Sequence, residues 1–173
     1  MDQKRTPKRV LIAYYSLTGN TARVATDLAA RLDADLESVK DRKHGVGFLG
    51  QLSAAIDARR GASAPIDPIQ YDPADYPFVI VGTPVWMWRM TPAIRAYLQI
   101  TRSRISEVAF FVTSGDTNIA KIAPALEAVL GKHSVAATGF SARELADSAT
   151  YERKLSAFVA AIQHHVNRTP AAA

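Results

Sequence analysis

The chain has 173 residues, 48% of them hydrophobic, which suits one domain with a sizeable core across residues 1–173. It contains no cysteine, which excludes disulfides, thiolate metal sites, cysteine nucleophiles and cysteine-ligated iron–sulfur clusters. Its 21 Lys and Arg against 16 Asp and Glu leave a formal net charge of +5, but without an aromatic-interleaved basic stripe nucleic-acid binding is not expected.

Residues 1–7 are a polar lead-in, and the apolar run after them is too short for a signal peptide or a membrane span. The cytoplasm is the expected compartment. A first strand is predicted near residues 9–15, apolar enough to be buried. A helix follows over 21–32, with Val24, Leu28 and Leu32 on one face and Ala25 and Ala29 beside them. Residues 34–39 read as a modest second strand.

Residues 46–60 carry Phe48, Leu49, Leu52 and Ile56 at helical spacing. The plain reading is a crossover helix on the sheet. The long, Pro-rich stretch that follows, 62–75, allows a second one, with the helix displaced toward a ligand or a dimer interface. Residues 78–82 form a third strand, apolar throughout and therefore central. Residues 83–91 hold the densest aromatic content, Trp86 and Trp88 with Met87 and Met90. Pro92 then opens a helix capped by Thr91, with Ile94, Tyr97 and Leu98 facing the core.

A fourth strand is expected at 108–112 and a helix at 119–130, which Pro124 should kink unless the helix starts later. A fifth strand is expected within 133–140. The last helix spans 149–166, with Tyr151, Leu155, Phe158, Val159 and Ile162 on its apolar face. Strands alternating with helices predict an α/β fold, a five-stranded parallel sheet covered by helices on both faces.

The stretch Ser16-Leu17-Thr18-Gly19-Asn20-Thr21 lies between the first strand and the first helix. A helix N-terminus offers unpaired N–H groups and a favourable dipole to an anion. Ser16, Thr18, Asn20 and Thr21 add side-chain donors, and Gly19 allows a backbone conformation barred to other residues. No Lys follows the glycine and no G-x-G-x-x-G is present, which excludes the nucleoside-triphosphate loop and the dinucleotide fingerprint. Neutral donors alone suit a phosphate monoester bound without metal. The plainer alternative is a simple helix cap formed by Thr18 or Asn20.

These residues resemble the phosphate loop of the flavodoxin family, of form [ST]-x-T-G-x-T. Val79-Ile80-Val81-Gly82-Thr83-Pro84 with Met90-Thr91-Pro92-Ala93 resembles that family's second flavin loop. The form is close to the one in flavodoxin-like NAD(P)H:quinone reductases. Phe110-Phe111-Val112-Thr113-Ser114-Gly115 resembles the third strand and loop. The resemblance spans roughly residues 8–165 and implies a flavodoxin-like three-layer sandwich with FMN as cofactor. It assigns the FMN phosphate to Ser16, Leu17, Thr18, Gly19, Asn20 and Thr21. It places Thr83, Pro84, Val85, Trp86, Met87 and Trp88 around the isoalloxazine ring. It sets Ser114 and Gly115 at the ring's polar edge, with Asp116, Thr117 and Asn118 nearby. Ligands of open parallel sheets bind beyond the carboxyl ends of the strands, so the three loops should converge. FMN's flat ring needs an apolar or aromatic face, which Trp86 or Trp88 can supply.

Several features depart from the family pattern. Where many flavodoxins carry a glycine whose peptide flips on flavin reduction, this chain has Val85, Trp86, Met87 and Trp88, and positive φ is disfavoured there. Residues 114–118 contain no aromatic to cover the outer flavin face. Arg89 precedes Met90 where the quinone reductases usually have asparagine. Carrier flavodoxins are typically acidic, whereas this chain is basic.

The implied activity is electron transfer through bound flavin to a redox partner protein. The alternative is an NAD(P)H-dependent quinone or flavin reductase acting on a small aromatic acceptor. Lys40, Arg42, Lys43, Arg59, Arg60 and Arg89 include candidate contacts for a nucleotide phosphate, although each singly reads as surface charge. No metal site is expected, since His44 and His133 lack ligand-spaced partners and His164-His165 project to different helix faces. A phosphoacceptor module on the same fold is disfavoured by Tyr14-Tyr15-Ser16, where it would need acidic residues. A flavin-free interaction domain is disfavoured by the intact loop. The sequence leaves the oligomeric state open.

Overall fold

In the computed structural model, residues 8–42, 65–115 and 119–168 are described. The elements run β1 (Val10–Tyr14), α1 (Asn20–Leu32), β2 (Asp35–Ser38), β3 (Phe78–Trp86), β4 (Arg89–Met90), α2 (Pro92–Thr101), β5 (Glu107–Ser114), α3 (Ile119–Leu130), β6 (Ala136–Ser141), α4 (Ala142–Ala146) and α5 (Ser148–Arg168). The expected helix at 46–60 lies outside the described residues.

Five strands form the parallel sheet, in the order β2-β1-β3-β5-β6. The register sets Ile12 beside Ile80 and Ile80 beside Ala109. Side chains alternate between faces, so each central strand feeds two cores. Leu11, Val79, Val81, Phe110 and Val112 pack with Ile94, Tyr97 and Leu98 of α2 and Ile122 and Leu126 of α3. Ile12, Phe78, Ile80 and Phe111 pack with Val24 and Leu28 of α1 and Leu155, Phe158 and Ile162 of α5. The result is the three-layer α/β sandwich that the alternation of elements predicts.

Three details differ from the sequence expectation. β3 continues past residue 82 to Trp86, because β4 turns back and pairs with it antiparallel, Val85 with Met90 and Trp86 with Arg89. β6 starts within the expected stretch, at Ala136, and runs one residue past it, to Ser141. The last helix is preceded by α4, which a capping box starts: Ser141 Oγ accepts from the Glu144 N–H and Glu144 accepts from the Ser141 N–H. α3 covers the expected residues, Ile119–Leu130, and keeps Pro124 inside it.

Residues 65–77 run beside the outer edge of β2. The buried Glu37 carboxylate accepts the N–H groups of Gln70 and Tyr71, at 2.7 and 2.9 Å. Tyr76 Oη donates to Asp35 at 2.8 Å. These bonds satisfy backbone and carboxylate groups that edge burial would otherwise leave unpaired.

Tyr97 in α2 is fully buried, and its hydroxyl has no hydrogen-bond partner among the described residues. Burial first, then the negative charge of Glu37, holds its ionisation far above the ordinary value. We expect Tyr97→Phe to raise stability by about 1 kcal/mol, because it removes a buried unpaired hydroxyl without opening a cavity. An ionisation raised in the folded state costs stability once the unfolded chain deprotonates, so above about pH 10 the wild type should lose stability faster than the variant. Thermal melts from neutral to alkaline pH check both effects. A large fall in Tm for the variant at neutral pH would show that the hydroxyl is bonded.

Candidate functional site

The chain reverses direction across the sheet between β1 and β3, the switch point at which open α/β sheets form a crevice. β1, β3 and β5 are neighbours and run parallel, so the segments after them meet at one edge. This brings Ser16–Thr21, Thr83–Trp88 and Ser114–Gly115 together, as the sequence predicts. Asp116, Thr117 and Asn118 lie outside the described residues.

The β1–α1 segment turns sharply. Gly19 is the N-cap of α1, with φ at +93° and no side-chain cap bond. The plainer alternative, a cap by Thr18 or Asn20, is not what forms: glycine supplies the left-handed turn, and no side chain closes the helix end. The first-turn N–H groups lack carbonyls ahead of them, and the Gly19 carbonyl takes the first helical bond from the Arg23 N–H at 2.8 Å. No acidic residue occupies the first turn. Thr18, Gly19 and Asn20 are exposed, and Leu17 packs partly against the core.

Ser16 Oγ is buried and has no hydrogen-bond partner among the described residues. An orphaned donor beside an uncapped helix N-terminus is what a small anion completes. Thr21 is used differently. Its hydroxyl lies 2.8 Å from that of Thr113, buried between α1 and β5, and so links two of the three segments. Its backbone N–H remains at the helix end.

The second segment is a hairpin. Thr83 is fully buried; its hydroxyl donates to the Pro84 carbonyl at 2.9 Å and lies 3.2 Å from that of Thr91. Thr91 stands at the N-cap of α2 but makes no cap bond, because its hydroxyl faces Thr83. Thr83 and Thr91 thus clamp the hairpin base. Pro84, Val85 and Trp86 are half-buried. Trp86 packs edge-on against Tyr15, with ring centroids 5.8 Å apart and planes at 87°. Burial, then the charge of Asp41, raises the Tyr15 ionisation above its ordinary value. Met87 and Trp88 form the turn and are exposed. Ser114 is half-buried and Gly115 exposed at the end of β5.

Sequence reasoning missed the hairpin, because its turn lacks the Asn-Gly or Asp-Gly signal. A groove at the opposite end of the sheet is lined by Lys8, Arg31, Asp33 and Asn167, and its Arg31 is paired with Glu152 at 2.7 Å. Its Lys8 ammonium is already 3.0 Å from the Asp33 carboxylate and donates to the Ala34 carbonyl at 3.2 Å. Among the described residues no cluster of potential metal ligands occurs, and no helix is long and apolar enough to cross a membrane.

Solved structures share this architecture. A flavoprotein in complex with FMN from Lactobacillus acidophilus NCFM is 24% identical, with a TM-score of 0.64, over 82% of this chain and 99% of that one. A protein of Bacteroides eggerthii DSM 20697 is 21% identical, with a TM-score of 0.68, over 87% and 97%. A flavodoxin from the domain Archaea is 12% identical, with a TM-score of 0.54, over 92% and 99%. Among curated proteins none matches. A family model described as flavodoxin matches residues 9–160, and with that coverage the chain belongs to the flavodoxin family.

Proposed function

We propose that this single domain binds FMN at the β1–β3 switch point and works as an electron-transfer flavoprotein. The observation that carries the reading is the buried, unpartnered Ser16 hydroxyl beside the left-handed Gly19 at the uncapped start of α1. The FMN-bound Lactobacillus structure supports it by analogy of fold. Ser16, Thr18 and Asn20, with the N–H groups at the start of α1, hold the phosphate. Thr21 contributes its N–H while its hydroxyl ties α1 to β5. Pro84, Val85 and Trp86 border the ring, Thr83 fixing their backbone from beneath. Ser114 and Gly115 face its polar edge, with Asp116 and Asn118 following in the chain. Bound flavin supplies one- or two-electron chemistry, and the protein sets its orientation and access.

The test is an anaerobic titration of the FMN-reconstituted protein followed by visible absorption. Tight binding with a perturbed flavin spectrum is expected. So is reduction by dithionite through a one-electron stage, with no bleaching by NADPH alone. Absence of FMN binding overturns the cofactor assignment. Direct bleaching by NADPH to the fully reduced state replaces electron transfer with the NAD(P)H-dependent quinone or flavin reductase.

A further inference from the structure

The β3–β4 turn carries Met87 and Trp88, next in the chain after the Pro84–Trp86 segment proposed to border the ring. Met87 and Trp88 both sit at positive φ, +48° and +65°. Bulky side chains in the left-handed region cost on the order of 1 kcal/mol apiece. The strained turn leaves both side chains outside the core, Met87 48% exposed and Trp88 63% exposed.

A cation lies against this apolar tip. Lys121 Nζ lies 5.5 Å from the centroid of the Trp88 ring, which places the first turns of α3 against the hairpin. Arg89, next in the chain, is exposed. Arg95 projects from α2 six residues on, half-buried. Burial first, then the charge of Arg89, pulls the Arg95 guanidinium below its ordinary value. Among the described residues neither guanidinium meets a carboxylate.

We propose that Met87, Trp88, Arg89, Arg95 and Lys121 form the docking surface for an acidic protein, whose carboxylates meet the three cations while an apolar side chain covers Trp88. The proposal rests on the electron-transfer reading, since it names the kind of partner that reading requires. A protein fits this tip because both its apolar side chains stand open to a flat partner surface, Trp88 63% exposed. Trp, Met and Arg are the residue types that concentrate at protein interfaces, and an apolar centre with a charged rim is the usual anatomy. The net charge of +5 adds attraction at longer range.

The test uses a plant-type ferredoxin as the acidic probe and the FMN-loaded, isotope-labelled chain observed by NMR. At about 20 mM salt, binding should shift the Trp88 indole and the signals of Arg89, Arg95 and Lys121, and about 300 mM salt should abolish it. Arg89→Glu/Arg95→Glu should weaken binding at least ~10-fold. Arg153→Glu/Arg168→Glu changes the net charge equally on α5, across the sheet, and should weaken it less than ~3-fold. Trp88→Ala should weaken binding without changing its salt dependence. No binding at low salt, shifts scattered over the surface, or equal losses in both double variants would overturn the proposal. FMN affinity, measured beforehand by absorption, separates this outcome from failure of the cofactor reading: a chain that binds flavin tightly but ignores the probe sinks only the docking surface.

Discussion

Asn20→Asp is expected to lower FMN affinity on the order of 10²-fold while leaving the apoprotein as stable as the wild type or more so. Asn20 is the exposed first residue of α1, directly after the left-handed Gly19. The substitution changes one amide to a carboxylate of nearly the same shape, so packing is untouched. At about 5–6 Å from a phosphate, with an effective dielectric near 20, one added negative charge opposes binding by about 3 kcal/mol per unit charge before salt screening. The same charge sits favourably at the helix N-terminus, worth about 0.3–1 kcal/mol to the fold. The two effects have opposite signs, so a melt of the apoprotein beside a fluorescence titration with FMN separates them. Riboflavin, which lacks the phosphate, should bind the variant and the wild type alike. Equal loss of FMN and riboflavin, or no loss of FMN, would move the phosphate away from α1.

Gly82→Ala should destabilise the protein by about 1–3 kcal/mol, the usual cost of forcing atoms into a packed core. Gly82 lies opposite Phe111 in the β3–β5 ladder. A Cβ on Gly82 would fall 2.1 Å from Phe111 Cζ and 2.4 Å from Cε1. Phe111 is fully buried among α1 and α5 side chains and has no free space to retreat into. Gly82 also accepts the Tyr15 N–H at 3.1 Å, so a shift of β3 moves the β1 loop with it. Denaturant melts should show a lower midpoint with an unchanged slope. Phe111→Leu in the Gly82→Ala background should recover part of the loss, because the smaller side chain vacates the position of the new Cβ. Full stability in the single variant would mean that the Phe111 ring can turn aside at no cost.

The Gly82 case shows how much was legible in advance. Val79-Ile80-Val81 reads as a central strand from its apolar run, and Gly82 belongs to a recognisable motif. That the glycine admits the Phe111 ring is a contact between strands 29 positions apart in the chain, and no local pattern encodes it. Gly19 is the opposite case. Its left-handed turn before an amphipathic run is local chemistry, and the structure places it where the loop pattern predicts, though glycine rather than Thr18 or Asn20 is the cap. The capping box of Ser141 and Glu144 was equally local, spelled out as Ser-x-x-Glu, and was overlooked because α4 is a single short helix.

The sequence by itself determined the alternation of strands and helices, the buried character of the central strands and the glycine turn at the start of α1. Each depends on periodicity, propensity or capping within a few residues, and short-range rules read those directly. Only the tertiary structure decided that Thr21 spends its hydroxyl on Thr113 and that Thr83 clamps Thr91. It also decided that Met87 and Trp88 hold a strained turn beside Arg89, Arg95 and Lys121. Those arrangements join side chains from different strands and helices. Their energies come from burial, hydrogen-bond satisfaction and charge proximity, quantities that exist only once the sheet has brought distant segments together.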